Sequence, residues 1–184
     1  MIIKRVTEKE EIAGIKRLQA ANLKVNLSEE EIQQEGFVTA EYTLPFLELM
    51  NETEPSVIAK EGEEVVGYVL VVTRALYGKH ALLDDFFRQA DTCSYNGEAL
   101  KDVDYTICGQ LCVARSHRGR GLVQQLYNYY RTTLSGKYKY LLTDVDEKNP
   151  RSIKAHLNTG FEIIGTSDYG GSRWHIVLWD WRGK

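Results

Sequence analysis

Gln110-Leu-Cys-Val-Ala-Arg-Ser-His-Arg-Gly-Arg-Gly-Leu-Val123 decides the fold. It starts as an apolar strand and passes through a short polar turn, Arg118-Gly119-Arg120-Gly121. It then becomes a helix, in which Leu122, Leu126 and Tyr130 repeat at helical spacing with Val123 and Tyr127 beside them. A strand that turns through glycines into a helix presents unpaired backbone N–H groups to the space in front of it. The helix dipole adds partial positive charge there, so the place suits a phosphate or pyrophosphate. Glycine keeps side chains away from the anion and tolerates positive φ. Two other phosphate motifs are excluded. No G-x-x-x-x-G-K-[ST] occurs, and Gln124 stands where G-x-G-x-x-G needs its third glycine.

Outward from this stretch, 184 residues fit one domain, spanning 1–184, with a core of its own. A net charge of −3 leaves no basic footprint for nucleic acid. The local cluster from Arg115 to Arg120 suits a small anion instead. No apolar run approaches the roughly 20 residues of a membrane span, and the N-terminus lacks signal-peptide order. Three cysteines show no metal spacing. Cys108 and Cys112 would lie on one strand face about 13 Å apart, too far for a disulfide. The expectation is free thiols in a reducing cytoplasm and no metal.

Ile2 to Val6 reads as a strand. Thr7 with Glu10 reads as a capping box for a helix to about Asn22, with Ile12, Ile15 and Leu18 on one face. Ser28 with Glu31 opens a shorter helix that stops near Gly36, and Thr43 opens a third through about Met50. Val57 to Lys60 and Val65 to Thr73 read as a hairpin whose second strand is buried on both sides. The segment at about 74–102 is an insertion with one amphipathic helix (Leu82, Leu83, Phe86, Phe87) and a polar loop, Ser94 to Glu98. Such excursions serve as lids or substrate walls, or merely decorate the surface. Asp84, Asp85 and Asp91 are its candidates for drawing a cation. Val103 to Val113 and Tyr138 to Val145, joined by the helix that ends at Gly136, form a parallel βαβ unit. Asn149-Pro150 opens the next helix, which ends at Gly160, and Phe161 to Thr166 and Arg173 to Trp181 are a final strand pair.

Asn149, Ser152 and His156 fall at i, i+3 and i+7 and share one face of that helix. If the two preceding strands are parallel neighbours, this polar face lies near whatever anion the glycine turn holds. On spacing alone, the same positions also fit a solvated face carrying a lone histidine.

The element order and both motifs resemble the GCN5-related N-acetyltransferase (GNAT) family over most of the chain. Leu111 to Val123 is similar to its acetyl-CoA motif, [QR]-x-x-G-x-[GA], with Arg118, Gly121 and Val123 in the fixed places; Val123 departs from the small final residue. Asn149 to Phe161 is similar to the family segment that starts at Asn and closes in Gly-Phe. The resemblance implies a mixed α/β (α+β) fold. It would be a mostly antiparallel twisted sheet of about seven strands with a central parallel pair, flanked by helices on both faces.

The resemblance also implies roles. Leu111 and Val113, with Cys112 between them, offer backbone groups to the pantetheine arm of the co-substrate acetyl-CoA. Amides of Arg118, Gly119, Arg120, Gly121, Leu122 and Val123 hold the pyrophosphate, and Asn149 and Ser152 contact the cofactor. His156 stands where many relatives carry a tyrosine that protonates the departing thiolate. The family's general base is often a glutamate on the strand before the glycine turn; Gln110 stands at a plausible inward position there, where it could orient a water. The expected activity is direct acetyl transfer to a primary amine of a small molecule or peptide. The alternatives are a non-catalytic acyl-CoA-binding module on the same fold, or another acyl donor. Tyr42, Tyr77, Phe86 and Tyr95 could line an acceptor pocket or simply pack. The strand from Trp174 to Trp181 could form a homodimer or fill the core.

Overall fold

Among the residues described by the computed structural model, 1–35 and 37–182, Ile2–Arg5 forms β1 and Lys9–Asn22 forms α1. The N-cap of α1 is Glu8, and the reciprocal box joins Glu8 to Glu11 rather than Thr7 to Glu10. Glu11 wins because it is buried against cations that no local rule contains. Its carboxylate accepts from the Thr7 and Glu8 amides (2.9 and 3.2 Å) and from Lys4 Nζ at 2.7 Å, with Lys60 Nζ at 3.3 Å. Leu18 is only half-buried; the inward face is Glu11, Ile12, Ile15 and Gln19.

Glu29–Glu35 forms α2, where the Ser28 amide donates to Glu31 Oε2 at 2.8 Å and the Glu31 amide returns a bond to Ser28 Oγ at 3.3 Å. The expected stop at Gly36 lies outside the described residues. Leu44–Thr53 forms α3 under the Thr43 cap, running past Met50 to Thr53, whose hydroxyl donates to the Met50 carbonyl (2.8 Å). Val57–Glu61 (β2) and Glu64–Val72 (β3) form the expected hairpin, and β3 is buried from Val65 to Val72.

In the insertion, Ala81–Asp91 forms α4, with Leu83, Phe86 and Phe87 buried and Leu82 half-buried. The expected polar loop is instead a small hairpin, Ser94–Tyr95 (β4) with Glu98–Ala99 (β5). Its turn is Asn96-Gly97, both at positive φ (50° and 81°), the backbone that a two-residue hairpin needs.

Tyr105–Val113 forms β6, Leu122–Leu134 α5, Tyr140–Asp146 β7, Pro150–Thr159 α6, Glu162–Tyr169 β8 and Ser172–Asp180 β9. Gly136 follows α5 without a left-handed φ, so it is not the expected glycine C-cap. The sheet has seven strands in the order β1-β2-β3-β6-β7-β9-β8. The pairs β1–β2, β2–β3, β7–β9 and β8–β9 are antiparallel, and β6–β7 is parallel.

Two compact units share the chain. The first is Met1–Val71 with Gly109–Thr132, and the second is Val72–Cys108 with the chain from Thr133 on. In the first, β3 carries a helix on each face. Tyr68 reaches α1 through a shared bond network, whereas Gly67 admits α5: a Cβ there would stand 3.2 Å from Leu126 and 3.4 Å from Leu122.

In the second unit, β7 has Tyr140 and Leu142 on one face and Leu141 and Thr143 on the other. The insertion covers the Tyr140 face, with Tyr95 edge-on to Tyr140 (5.6 Å between centroids) and Phe87 beside Tyr105 (6.2 Å). The opposite face carries α6. Trp179, the register partner of Leu141, packs on Phe161 at 5.7 Å and on Trp181 at 6.1 Å. Trp179 and Trp181 are buried and Trp174 is half-buried.

Gly160 ends α6 at φ 113°, where a Cβ would also meet Trp179 Nε1 at 3.0 Å. We expect Gly160→Ala to lower unfolding stability by about 2–3 kcal/mol, from backbone strain and the displaced indole together. Urea denaturation checks this; an unchanged midpoint would show that the α6–β8 corner relaxes freely.

Candidate functional site

The glycine turn is held from behind and open in front. After β6 the chain makes a 3-10 turn over Arg115–His117, Arg118 is extended (φ −71°, ψ 155°), and Gly119 and Gly121 are left-handed at φ 74° and 73°. A Cβ at either glycine would find nothing within 4 Å, and residues 119–121 are exposed. The N–H groups of Gly119 to Val123 donate to no acceptor among the described residues.

The side chains around the turn brace it. Arg118 folds back, its Nε donating to the Val113 carbonyl at 3.0 Å and its guanidinium to Asn22 Oδ1. His117 lies between Ser116 Oγ (2.8 Å) and Glu61 (3.2 Å). Arg115 pairs with Glu31 at 2.6 Å, a hydrogen bond that, with those from Ser28, holds the Glu31 carboxyl at about 2. Arg120 is exposed and makes no ion pair among the described residues. A row of free amides with one loose cation beside it has the donors that an anion receptor needs.

The strand leading into this turn is tied up by its side chains. Gln110 is buried, with Oε1 accepting from Tyr68 Oη (2.6 Å) and Gln19 Nε2 (3.0 Å), and Nε2 donating to the Ala40 carbonyl (2.7 Å). Gln19 Oε1 in turn accepts from the Tyr42 amide at 3.1 Å. A buried amide must be satisfied, and here the protein itself satisfies it. Gln110 therefore knits β3, α1 and the residue 40–42 segment together, where a water-orienting role had been expected of it. Burial pushes the Cys112 thiol up to about 12, so it is not a thiolate nucleophile at neutral pH. Leu111 is half-buried and Val113 buried. The β6–β7 ladder covers only Tyr105–Ile107 against Tyr140–Leu142, after which Thr143 Oγ1 donates to the Cys108 carbonyl at 2.9 Å.

In the second unit, Asn149 caps α6 as expected, its Oδ1 accepting from the Ser152 amide at 3.1 Å. His156 Nδ1 donates to the Ser152 carbonyl at 2.7 Å, lies 3.4 Å from Ser152 Oγ, and its ring stands edge-on to Phe161 at 5.1 Å. Burial, opposed by that one bond, lowers its pKa to about 4. The acid role expected of His156 needs an imidazolium, which burial disfavours near neutral pH.

This shift has a stability consequence. The neutral ring stabilises the fold fully above the ordinary value of 6.5, and the contribution is lost as pH falls to about 4, because the unfolded chain takes the proton first. The window is worth about 3 kcal/mol. Urea midpoints of wild type should fall across it more steeply than those of His156→Phe; parallel curves would mean a hydrated imidazole.

The three aspartates of the insertion expected to draw a cation, Asp84, Asp85 and Asp91, are committed to structural bonds. Asp91 pairs with both Arg74 nitrogens (2.9 and 2.7 Å) and accepts from Tyr105 Oη (2.9 Å). Asp84 accepts from the Gly78 amide (2.7 Å), and Asp85 pairs with Arg88. Of the aromatic residues, Tyr42 and Phe86 are buried, Tyr77 is exposed, and Tyr95 donates to Glu162 at 3.1 Å. The carboxylate that stands out is one the sequence reading passed over, Asp144, half-buried inside β7 with its pKa raised to about 6 by desolvation. Its signal was available: aspartate is depleted from strand interiors.

The acetyltransferase (GNAT) family model matches residues 23–161. The chain belongs to that family. Solved structures of similar fold include a GNAT acetyltransferase from Streptococcus agalactiae, with a TM-score of 0.68 and 15% identity over 100% of this chain and 96% of that one. Another is yncA from Salmonella typhimurium, solved with its cofactor acetyl-CoA (TM-score 0.63, 15% identity, 100% and 95% covered). A third is a chain of the NatC complex bound to Gag peptide and CoA (TM-score 0.64, 13% identity, 97% of each covered). No curated protein matches the sequence. The GNAT assignment supports acyl transfer in general. Among the described residues, no group of His, Cys, Asp and Glu could hold a metal, and no helix is long and apolar enough to cross a membrane.

Proposed function

We propose that this GNAT chain is a single acetyltransferase domain that transfers an acetyl group from acetyl-CoA to an amine of a small molecule or peptide, with residues 74–102 on its acceptor side. The observation that carries the reading is the open turn at Gly119 and Gly121, left-handed at both glycines with nothing within 4 Å of either added Cβ. That cradle fits a pyrophosphate and would be filled by side chains at any other residue type. Acetyl-CoA supplies an acetyl group already activated as a thioester. The chain does the rest. The amides of Gly119 to Val123 bind the diphosphate, the Arg118 amide being already given to the Arg115 carbonyl at 3.3 Å; Leu111 and Val113 orient the arm through their backbone, and Asn149 and Ser152 add polar contacts. The structures of yncA with acetyl-CoA and of NatC with CoA and peptide support the choice of donor and of an amine acceptor.

His156, neutral and bonded to the Ser152 carbonyl, acts in this reading as a positioning residue for α6. His156→Phe should lower kcat by less than about 10-fold and leave its pH profile in place; loss of about 100-fold together with a profile limb would restore it as the acid. A second reading, acyl-CoA binding without turnover, draws on the committed Gln110 amide and the neutral His156. Thiol release from acetyl-CoA, screened over polyamines, aminoglycosides, amino acids and short peptides, separates the two. Turnover with any amine supports transfer, and a CoA-induced rise in melting temperature without turnover supports binding alone.

A further inference from the structure

Ser116, His117 and Glu61 form a hydrogen-bonded file beside the glycine turn and take no part in the acetyl transfer proposed above. All three lie in the first unit. The 3-10 turn Arg115–His117 sets Ser116 against its neighbour, with Ser116 Oγ 2.8 Å from His117 Nδ1. His117 Nε2 lies 3.2 Å from the carboxylate of Glu61, the last residue of β2. His117 is buried and its amide donates to the Ala114 carbonyl at 2.8 Å, whereas Ser116 and Glu61 are exposed.

The chemistry of the partners places the protons. A carboxylate only accepts, so Nε2 carries the hydrogen and donates to Glu61. In the neutral ring Nδ1 is then the acceptor, and the Ser116 hydroxyl donates to it. A hydroxyl, an imidazole base and a carboxylate that orients the base are the parts of an activated nucleophile. The two ring nitrogens exchange places relative to the usual serine triad, but each group keeps its task. The Ser152–His156 pair is the opposite case: His156 Nδ1 donates to the Ser152 carbonyl at 2.7 Å, so it cannot accept from Ser152 Oγ. The Ser116 amide N–H has no acceptor among the described residues, which leaves it for an oxyanion formed at its own hydroxyl. A few residues on, the free amides of Gly119 to Val123 and the exposed Arg120 offer an anion site. An acyl donor that suits both features carries its acyl group directly on a phosphate. Acetyl-CoA does not suit them: with its diphosphate on these amides, its arm runs back along Leu111 to Val113 and carries the acetyl group away from Ser116.

We propose that Ser116 is an acylation site that takes its acyl group from a small acyl phosphate seated by its phosphate on the glycine-turn amides. The Ser116 oxygen attacks the acyl carbon, and its proton passes to His117 Nδ1. An ester C–O bond forms on Ser116. The bond from the acyl carbon to the phosphate oxygen breaks, and that oxygen leaves with the electron pair. The imidazolium, held beside Glu61, gives its proton to the departing phosphate. The products are an O-acylated Ser116 and inorganic phosphate, with no change of oxidation state. The step shares its amides with the acetyl transfer proposed above but needs no amine acceptor.

The test exposes the full chain to acetyl phosphate and follows the Ser116 peptide by mass spectrometry. Wild type should gain one acetyl group on Ser116, and Ser116→Ala should gain none on that peptide. His117→Gln, which stays polar but loses the base, should label about 100-fold more slowly. His117→Ala should recover labelling when free imidazole is added. Glu61 acts through the imidazole as a positioning residue, so Glu61→Gln should slow labelling about 10-fold and Glu61→Asp should restore part of the rate. The melting temperatures of Ser116→Ala and Glu61→Gln should stay close to that of wild type, because both side chains are exposed. Inorganic phosphate should slow labelling by acetyl phosphate, and it should not slow labelling of Ser116 by p-nitrophenyl acetate, which carries no phosphate. A wild type left unacetylated at Ser116, or labelling as fast in His117→Gln, overturns the proposal. Labelling that inorganic phosphate does not slow overturns the seat on the glycine turn. Protection by inorganic phosphate but not by CoA strikes the acetyl-transfer reading instead and supports this one.

Discussion

Glu11→Ala lowers the unfolding free energy by about 3–5 kcal/mol, because it strands a buried cation. Glu11 is 2% exposed and its carboxylate is shared by Lys4, Lys60 and the amides of Thr7 and Glu8. Burial alone would raise its pKa; these donors outweigh burial and hold it at about 2. Lys60, 8% exposed, keeps its charge through Glu11 and through Glu63 at 3.4 Å, and its pKa is raised. Removing the carboxylate leaves Lys60 with the exposed Glu63 in place of a buried partner and removes the acceptor at the helix start. The Glu11 contribution is complete above the ordinary value of 4.5 and disappears as pH falls towards 2. Urea denaturation should therefore show a wide gap between wild type and Glu11→Ala at neutral pH and a closing gap in acid. A loss under about 1 kcal/mol at neutral pH would mean that water solvates the lysines and that the network is superficial.

Gly121→Glu abolishes the CoA-induced thermal shift. At φ 73° any L side chain is strained, by about 1–2 kcal/mol, and the new Cβ enters space that is otherwise free within 4 Å. The carboxylate then occupies the mouth into which the free amides point, and it repels the diphosphate. CoA should bind at least about 100-fold more weakly, a change of about 2.7 kcal/mol. Gly121→Ala separates the two effects: it carries the strain without the charge, so it should lose a few degrees of melting temperature yet keep a reduced CoA shift. An undiminished shift in Gly121→Glu would remove the glycine turn from cofactor binding.

Features that depend on neighbouring backbone were legible in the sequence, and features that depend on distant partners were not. Asn149-Pro150, the Gly160 terminus, the Ser28–Glu31 box and the glycine turn are local chemistry, and each lies where spacing places it. The α1 cap moved from Thr7 to Glu8 because Lys60, far along the chain, competes for Glu11. The Gln110 position was read as inward, correctly, but its partners come from three separate segments that no window contains. His156 has the spacing of a polar helix face, yet Phe161 and its surroundings bury it. Asn96-Gly97 was a local signal for a hairpin that was passed over because its strands are only two residues long.

The excursion from β3 to β6 is fastened twice. Arg74, Asp91 and Tyr105 close its base, and Glu98 joins Tyr140, Lys139 and Arg182 at its far hairpin. A segment riveted at both ends has no hinge on which to swing. Under the acetyl transfer proposed above it would offer visiting molecules a fixed contour, so a change in the compounds accepted would arise from resculpting single side chains along it, and the two rivets could stay as they are.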